Sequence, residues 1–358
     1  MSDWPDRRLS GLLGSLHPII QAPMAGATSN ALVLAAMAGG ATGSLPCGMM
    51  TPEQMRAAVA EIRAASDAPL ILNFFCHRLP PAPDMSEWVA ALAPFYAEYG
   101  IDDPGPPPPI RAPFDAAMAA ATVAAAPTAA SFHYGLPDEA LLAPLREAGI
   151  LILSSATTLA EARALAARGC DAIIAQGWEA GGHRGWFLDP DMDNQMGTMA
   201  LVPQIADAVD CPVIAAGGIS DARGIAAAMM LGASGVQMGT AYLFTPECPI
   251  APAFRAALAR PEAEETVLTN LFSGGMARGT HNRLIETLGA RSPAAPPFPY
   301  ASAALAPLRK AAEAAGKADF TPLWAGQAAG LGREGEGAEA LTRRLATEAL
   351  ALMSGGRA

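Results

Sequence analysis

Residues 213–240 decide the fold and read VIAAGGISDARGIAAAMMLGASGVQMGT. A short apolar run, Val213–Ala216, leads into paired glycines and then into an Ala-rich run with helical spacing. A second apolar run, Gly235–Met238, follows that helix directly. Neither apolar run alternates polar and apolar residues, which is typical of parallel strands buried on both faces. The stretch therefore predicts a strand–helix–strand unit of a parallel α/β fold.

The same unit recurs along the first 245 residues, where eight short apolar runs are each followed by a helical pattern. Eight units in this length predict a TIM barrel, and a doubly wound open sheet is the alternative. The predicted strands are Ile19–Pro23, Thr42–Leu45, Leu70–Phe75, Ala129–His133, Ile150–Ser154, Ala172–Gln176, Val213–Ala216 and Gly235–Met238. The predicted helices between them are Asn30–Ala38, Pro52–Ala65, Asp115–Ala125, Asp138–Ala148, Leu159–Ala167, Thr198–Val209 and Asp221–Leu231.

Two segments interrupt this rhythm. A Pro-rich insertion at about residues 78–113 contains PGPPPP at 104–109 and one helical pattern, Met85–Tyr99. Residues 246–320 show no strand–helix repeat, and they predict a mainly helical accessory domain that caps the active site on the substrate side. Residues 1–245 and 321–358 then form the barrel.

Composition excludes several classes of protein. The 358 residues are 51% hydrophobic and 16% charged, which is too apolar for a disordered chain. The net charge of −11 argues against nucleic acid or an anionic membrane as a partner. Five cysteines without CxxC spacing argue against a disulfide scaffold or a zinc site, and no other metal-ligand cluster is visible. The N-terminus does not resemble a signal peptide, so we expect a cytoplasmic protein without a metal.

Glycine loops follow the last two predicted strands. In a TIM barrel the active site is built at the carboxyl ends of the strands. Gly217 and Gly218 leave backbone N–H groups open next to the start of a helix, and Gly239 and Thr240 add further donors. This arrangement predicts a phosphate cradle, with plain tight turns as the alternative.

Polar side chains at other strand ends indicate what lies beside the phosphate. Asn73, Gln176 and Gln237 are amides within an apolar barrel, and buried amides need hydrogen-bond partners. A flat heterocycle such as an isoalloxazine would supply them. His183 lies between glycines that let the backbone approach a ligand, and His133 ends the fourth predicted strand. Both histidines are therefore candidate site residues.

Eight motifs occur in an order that resembles the nitronate monooxygenase family (formerly 2-nitropropane dioxygenases), and specifically its bacterial class I. The resemblance covers about residues 17–331. The motifs are QAPMAG (21–26), LNFF (72–75), SFHYGLP (131–137), EAGGHRG (179–185), AAGGISDARG (215–224), QMGTAYL (237–243), SGGMARGTHNRL (273–284) and LWAGQA (323–328).

The resemblance implies a TIM barrel with non-covalent FMN and no metal. It implies oxidation of alkyl nitronates by O2 to a carbonyl product and nitrite, through single-electron transfer to the flavin, with propionate 3-nitronate as the expected substrate. By motif, His183 becomes the catalytic base or orienting group, and His133, Tyr300 and Lys310 become substrate-binding residues. The implied FMN contacts are Pro23, Met24, Asn73, Gln176, Gly181, Gly182, Gly217, Gly218, Gln237, Gly239, Thr240, Trp324 and Gln327.

Two other functions fit the same residues. An FMN-dependent NAD(P)H:quinone or enoyl-thioester reductase would share every flavin motif. A non-catalytic barrel that binds a phosphate ligand would share the glycine loops alone. The sequence also leaves monomer and homodimer open.

Overall fold

A computed structural model describes residues 4–103, 110–260 and 265–355. Within them, eight parallel strands form one sheet, and their order around it is β1 (Ile19–Gln21), β9 (Gly235–Met238), β8 (Val213–Ala216), β6 (Ala172–Gln176), β5 (Leu151–Ala156), β4 (Ala129–His133), β3 (Leu70–Phe75) and β2 (Gly43–Pro46). The ring closes where Ile20 of the first strand bridges Thr42 beside the last. The predicted TIM barrel is therefore confirmed, and the open sheet is excluded.

Helices surround the barrel, and the last of them (Ala338–Met353) packs between the helices Ala222–Met230 and Asn30–Ala38 to complete the outer layer. The run before the accessory region is α1 (Arg8–Leu13), α2 (Asn30–Ala38), α3 (Pro52–Ala65), α4 (Ser86–Glu98), α5 (Ala116–Ala125), α6 (Glu139–Glu147), α7 (Leu159–Ala167), α8 (Thr198–Ala206), α9 (Ala222–Met230) and α10 (Thr240–Leu243). The remaining helices are α11 (Pro252–Leu258), α12 (Arg283–Leu288), α13 (Ala301–Ala314) and α14 (Ala338–Met353), with a 3-10 turn at Ala329–Leu331.

Local sequence explains where these elements begin and end. Helix α3 begins with a capping box in which Thr51 and Gln54 satisfy each other's backbone N–H groups, and Pro52 occupies the first helical position. Strand β1 ends at Gln21, two residues before the predicted Pro23, because proline has no N–H to donate to a ladder. Inside the barrel, apolar side chains such as Ile71, Ile174 and Ile214 form a cluster that also takes in α1.

A second core lies outside the barrel, where the Pro-rich insertion meets the accessory region. Helix α4 of the insertion packs on α13 of the accessory region, and Trp88 Nε1 donates to Ala301 O (3.1 Å). The accessory region also contains two strands that the sequence analysis did not predict, β10 (Thr266–Thr269) and β11 (Ala277–Thr280). The PGPPPP run at 104–109 lies outside the described residues.

Strand β11 joins the barrel loops to the accessory region. It pairs antiparallel with β10 on one side and with the short strand β7 (Gly182–His183) on the other. Ala277 is the register partner of His183. The accessory region is thus connected by a backbone ladder to the loop that follows β6. In the described part of the chain, no helix is long and apolar enough to span a membrane, and no cluster of three ligating side chains is suited to a metal ion.

Candidate active site

A cavity of about 350 Å³ opens at the carboxyl ends of the barrel strands and extends to helix α13 of the accessory region. Most of the residues predicted for the site line it, although they come from six different strand ends and from the LWAGQA segment. These lining residues are Pro23, Met24, Asn73, His133, Gln176, Gly181, Gly182, His183, Gly217, Gly218, Gln237, Gly239, Thr240 and Trp324.

The loop after β8 is shaped to approach a ligand with bare backbone. Gly217 and Gly218 have φ angles of +113° and +71°, a region that glycine occupies without strain. A Cβ on Gly217 would lie 2.9 Å from Ala180 N, so no side chain fits there. The next hydroxyl, Ser220 Oγ, is buried and has no hydrogen-bond partner among the described residues. Helix α9 begins just beyond it, so N–H donors, a helix N-terminus and an unpaired hydroxyl meet at one end of the cavity.

Glu179 holds this end of the cavity together, a role that the sequence analysis missed. Its Oε2 atom accepts from Thr198 N (2.8 Å), and its backbone oxygen accepts from Gln327 N (2.9 Å). Close by, Thr240 Oγ1 accepts from Gly326 N (2.9 Å). The loops after β6 and β9 and the LWAGQA segment are therefore fixed to one another.

Two of the three amides predicted at strand ends, Asn73 and Gln176, have protein hydrogen-bond partners. Gln176 Nε2 donates to His183 O (2.8 Å), and Gln176 Oε1 accepts from Gly185 N (2.8 Å). Asn73 Nδ2 donates to Ser131 Oγ (2.9 Å). A heterocycle is thus not needed to satisfy Gln176. Its amide instead sets the path of the backbone on both sides of Arg184.

His183 lies in an aromatic part of the cavity and is fixed from two sides. Its backbone belongs to β7, and its Nε2 atom lies 2.8 Å from Ser273 Oγ. Its ring packs against Phe298 and Trp324, with ring centroids 5.3 and 5.6 Å away. Burial, aided by the positive charge of Arg111, lowers the pKa of His183 well below its ordinary value. The imidazole is therefore neutral at neutral pH.

His133 contacts the backbone of the same short strand, β7. Its Nε2 atom lies 3.1 Å from His183 O, and its Nδ1 atom lies 2.6 Å from Ser155 Oγ. Since a carbonyl only accepts, Nε2 carries the proton and Nδ1 accepts from the serine. Burial lowers the pKa of His133 to about 4, so this tautomer persists at neutral pH.

A family model described as nitronate monooxygenase matches residues 6–348. The chain belongs to the nitronate monooxygenase family. Among curated relatives, the chain is 44% identical over 341 residues to a nitronate monooxygenase of Paraburkholderia phytofirmans, which covers 93% of this chain and 92% of that one. It is 42% identical to a nitronate monooxygenase of Pseudomonas aeruginosa, which covers 93% and 97%.

One solved structure agrees with this membership, and a second agrees in fold. The nitroalkane oxidase of Streptomyces ansochromogenes superimposes with a TM-score of 0.86 at 36% identity, covering 97% of this chain and 99% of that one. FabK from Thermotoga maritima superimposes with a TM-score of 0.72 at 24% identity and covers 97% of both chains. The second likeness shows the fold alone. The protein is accordingly an oxidoreductase of the nitronate monooxygenase family.

Three residues implied by the family resemblance lie outside the cavity lining. Tyr300 Oη donates to Pro80 O (2.9 Å) and ties the accessory region to the insertion. Lys310 is exposed on α13, and Gln327 is exposed although its backbone N–H is used. On α13, Arg309 and Glu313 line the cavity instead, because residues four apart share a helix face and residue 310 is turned by about 100°.

The structure adds Arg111 and Phe75 to the site of this nitronate monooxygenase family member. Phe75 ends β3, and the guanidinium of Arg111 lies 4.5 Å from the centroid of its ring. None of the sequence motifs includes Arg111. It lies in the Pro-rich insertion, and its contact with Phe75 is not between neighbours in the sequence. Ser273 opens the SGGMARGTHNRL motif, but its contact with His183 joins residues 90 positions apart.

Proposed function

We propose that this protein oxidises alkyl nitronates with O2, using bound FMN, to give a carbonyl product and nitrite. Family membership supports the reaction class. The observation that carries the proposal in this chain is the position of His183, a neutral and fixed imidazole in an aromatic cavity whose other end is a phosphate cradle. These two features suit a flavin and a small planar anion side by side.

FMN fits the residues at the glycine end. The unpaired hydroxyl of Ser220 and the bare backbone at Gly217 and Gly218 would hold the phosphate, together with the N-terminus of α9. Thr240 and the loops after β1, β3 and β9 would line the remainder of the cofactor. When bound, FMN would be the electron acceptor for the nitronate and would pass the electrons on to O2.

The side chains of this chain bind, orient and exclude water. His183 in its neutral form accepts the α-proton of a neutral nitroalkane, or orients a nitronate that arrives already ionised. Phe75, Phe298 and Trp324 surround the imidazole and keep water from the reacting carbon. We propose propionate 3-nitronate as substrate and the cytoplasm as the compartment, with the protein acting as a monomer or homodimer.

The deciding experiment uses the purified protein with its native cofactor. We expect a yellow protein whose released flavin is FMN, and rapid O2 uptake with nitrite release on addition of propionate 3-nitronate. Anaerobic mixing with NADH should leave the flavin oxidised. Rapid bleaching by NADH without nitronate turnover would favour the quinone or enoyl-thioester reductase. A colourless protein that takes up no FMN would favour a non-catalytic phosphate-binding barrel.

A further inference from the structure

The charges that line the cavity do not cancel. Besides histidines, its charged lining residues are Arg111, Arg309 and Glu313. Arg309 Nε donates to Glu313 Oε1 at 2.7 Å, so these two neutralise each other. Within the described residues, no carboxylate pairs with Arg111. The cavity therefore carries one uncompensated positive charge, which favours an anionic ligand.

Arg111 is held in a fixed position while its terminal nitrogens stay available. Its guanidinium lies over Phe75 at 4.5 Å and near Phe298 at 5.9 Å, in cation–π geometry. Its Nε donates to Met49 Sδ (2.9 Å), and its backbone oxygen accepts from His77 Nε2 (3.1 Å). This leaves the two-pronged end of the guanidinium for a carboxylate, which it binds in a bidentate manner.

The phosphate cradle lies too far round the barrel to use this charge. Phe75 ends β3, whereas Gly217 and Gly218 follow β8. In the closed ring, β3 and β8 are four strands apart among eight, which is the opposite side of the barrel. His183, which follows β6, contacts the same Phe75 ring at a centroid distance of 5.9 Å. Arg111 and His183 therefore both contact the ring of Phe75, away from the cradle.

We propose that Arg111 determines substrate specificity by binding a carboxylate of the substrate, while the nitronate end lies at His183. The inference rests on the proposed function and goes beyond it, since it assigns a residue to the tail of the substrate. The matched pair of substrates is propionate 3-nitronate and the nitronate of 1-nitropropane, which have the same carbon chain with and without the carboxylate.

The test measures kcat and KM for both substrates with wild type, Arg111→Met and Arg111→Lys. In Arg111→Met we expect KM for propionate 3-nitronate to rise about ten- to a hundredfold, because a charge-assisted hydrogen bond to a carboxylate is lost. KM for the uncharged-tail substrate should hardly change. Arg111→Lys keeps the charge without the planar fork, so it should restore part of the difference. The control, Arg56→Met on the outer helix α3, should leave both substrates unchanged.

Equal losses on both substrates would overturn the proposal, because Arg111 would then act on the nitronate or on folding alone. A wild type that does not distinguish the two substrates would overturn it too, with the proposed function intact. Calorimetric binding of 3-nitropropionate and 1-nitropropane separates the two questions. Tighter binding of 3-nitropropionate that disappears in Arg111→Met supports the Arg111 site even if no nitronate is oxidised. If Arg111→Met does not fold, Arg111→Gln replaces it in both measurements.

Discussion

The Nε2 atom of His183 lies 2.8 Å from the hydroxyl oxygen of Ser273. One residue follows a barrel strand and the other belongs to the accessory region, so the orientation of the imidazole depends on how the two parts pack. Ser273 Oγ in turn accepts from Gly275 N (3.3 Å), which fixes the hydroxyl within its own loop. The accessory region therefore orients the candidate base as well as covering it.

Ser273→Ala should reduce kcat on nitroalkanes by roughly three- to tenfold, because one neutral hydrogen bond that orients the ring is lost. KM should change less than kcat, since Ser273 acts through His183 and does not touch the substrate. Steady-state kinetics check the split, and Ser273→Thr should restore most of the rate. A variant with an unchanged kcat would show that ring packing alone holds His183.

His183→Asn should reduce activity on neutral nitroalkanes more than on preformed nitronates, because only the nitroalkanes need a base. With neutral nitroalkanes we expect kcat/KM to fall by about 10²–10⁴, which is the usual contribution of general base catalysis. With preformed nitronates, which carry no α-proton to remove, the loss should be much smaller. Oxygen-uptake assays on both forms measure this, and undiminished activity on neutral nitroalkanes would rule out the base role.

Gly217→Ala should lower the retained flavin. The Cβ would meet Ala180 N at 2.9 Å, and a φ of +113° is strained for alanine. Gly149 is a matched control, because it also has a positive φ (+75°) but has no atom within 4 Å of its Cβ position. Gly149→Ala should cost stability without loss of flavin. Flavin absorbance after gel filtration checks both, and equal retention would mean that Gly217 does not border the cofactor.

The low pKa of His183 predicts that the reaction rate does not fall in mildly acidic solution. Because burial lowers the pKa of His183 well below its ordinary value of 6.5, the imidazole stays neutral in mildly acidic solution, so kcat/KM for a neutral nitroalkane, whose α-proton His183 would accept, should not change between about pH 6 and 8. A half-maximal rate near pH 6.5 would contradict this, since it would indicate an exposed imidazole. Initial rates of O2 uptake with a neutral nitroalkane in a series of buffers give the profile.

His133 makes a separate prediction about stability. Its pKa is about 4 in the folded protein against 6.5 for a free side chain, so the unfolded chain binds more protons between these values. The contribution of neutral His133 to the free energy of unfolding is complete above about pH 6.5 and is lost as the pH falls toward about 4. In His133→Gln this loss is absent, so the Tm difference between wild type and variant should narrow on acidification. A constant difference would contradict it.

The barrel could be predicted from sequence because its signals are local. Strands β3, β4, β6, β8 and β9 lie within the predicted bounds, since each is an apolar run buried on both faces. Strand β11 could not be predicted in this way. It reads ARGT, and Arg278 is buried there at 3% exposure, a pattern that predicts a turn more readily than a strand. It pairs with its neighbour β10 and also with β7, more than 90 residues earlier, so part of its stability comes from a non-local ladder.

The site residues also divide into those that local sequence signals predict and those whose positions depend on contacts distant in the sequence. Glycines and histidines that follow strands could be predicted to lie together, because a barrel brings its strand ends to one edge, and they line the cavity. Three further residues could not be predicted from sequence. Ser220 stands out only because its buried hydroxyl has no partner among the described residues, and Ser273 only because it reaches His183 from the accessory region. Arg111 stands out only because its guanidinium stacks on Phe75. Lys310 was assigned where Arg309 lies, because motif spacing does not resolve which helix face points inward.

The pairing of Ala277 with His183 limits how this enzyme can be rebuilt. Side chains alternate between the two faces of a strand, so a slip of one residue in the ladder would turn the imidazole away from the cavity. A chimaera that takes its accessory region from a relative therefore keeps the candidate base His183 facing the cavity only if its junctions preserve that pairing. Insertions that shift β11 against β7 should therefore be avoided, and directed evolution of substrate range should leave that pairing unchanged.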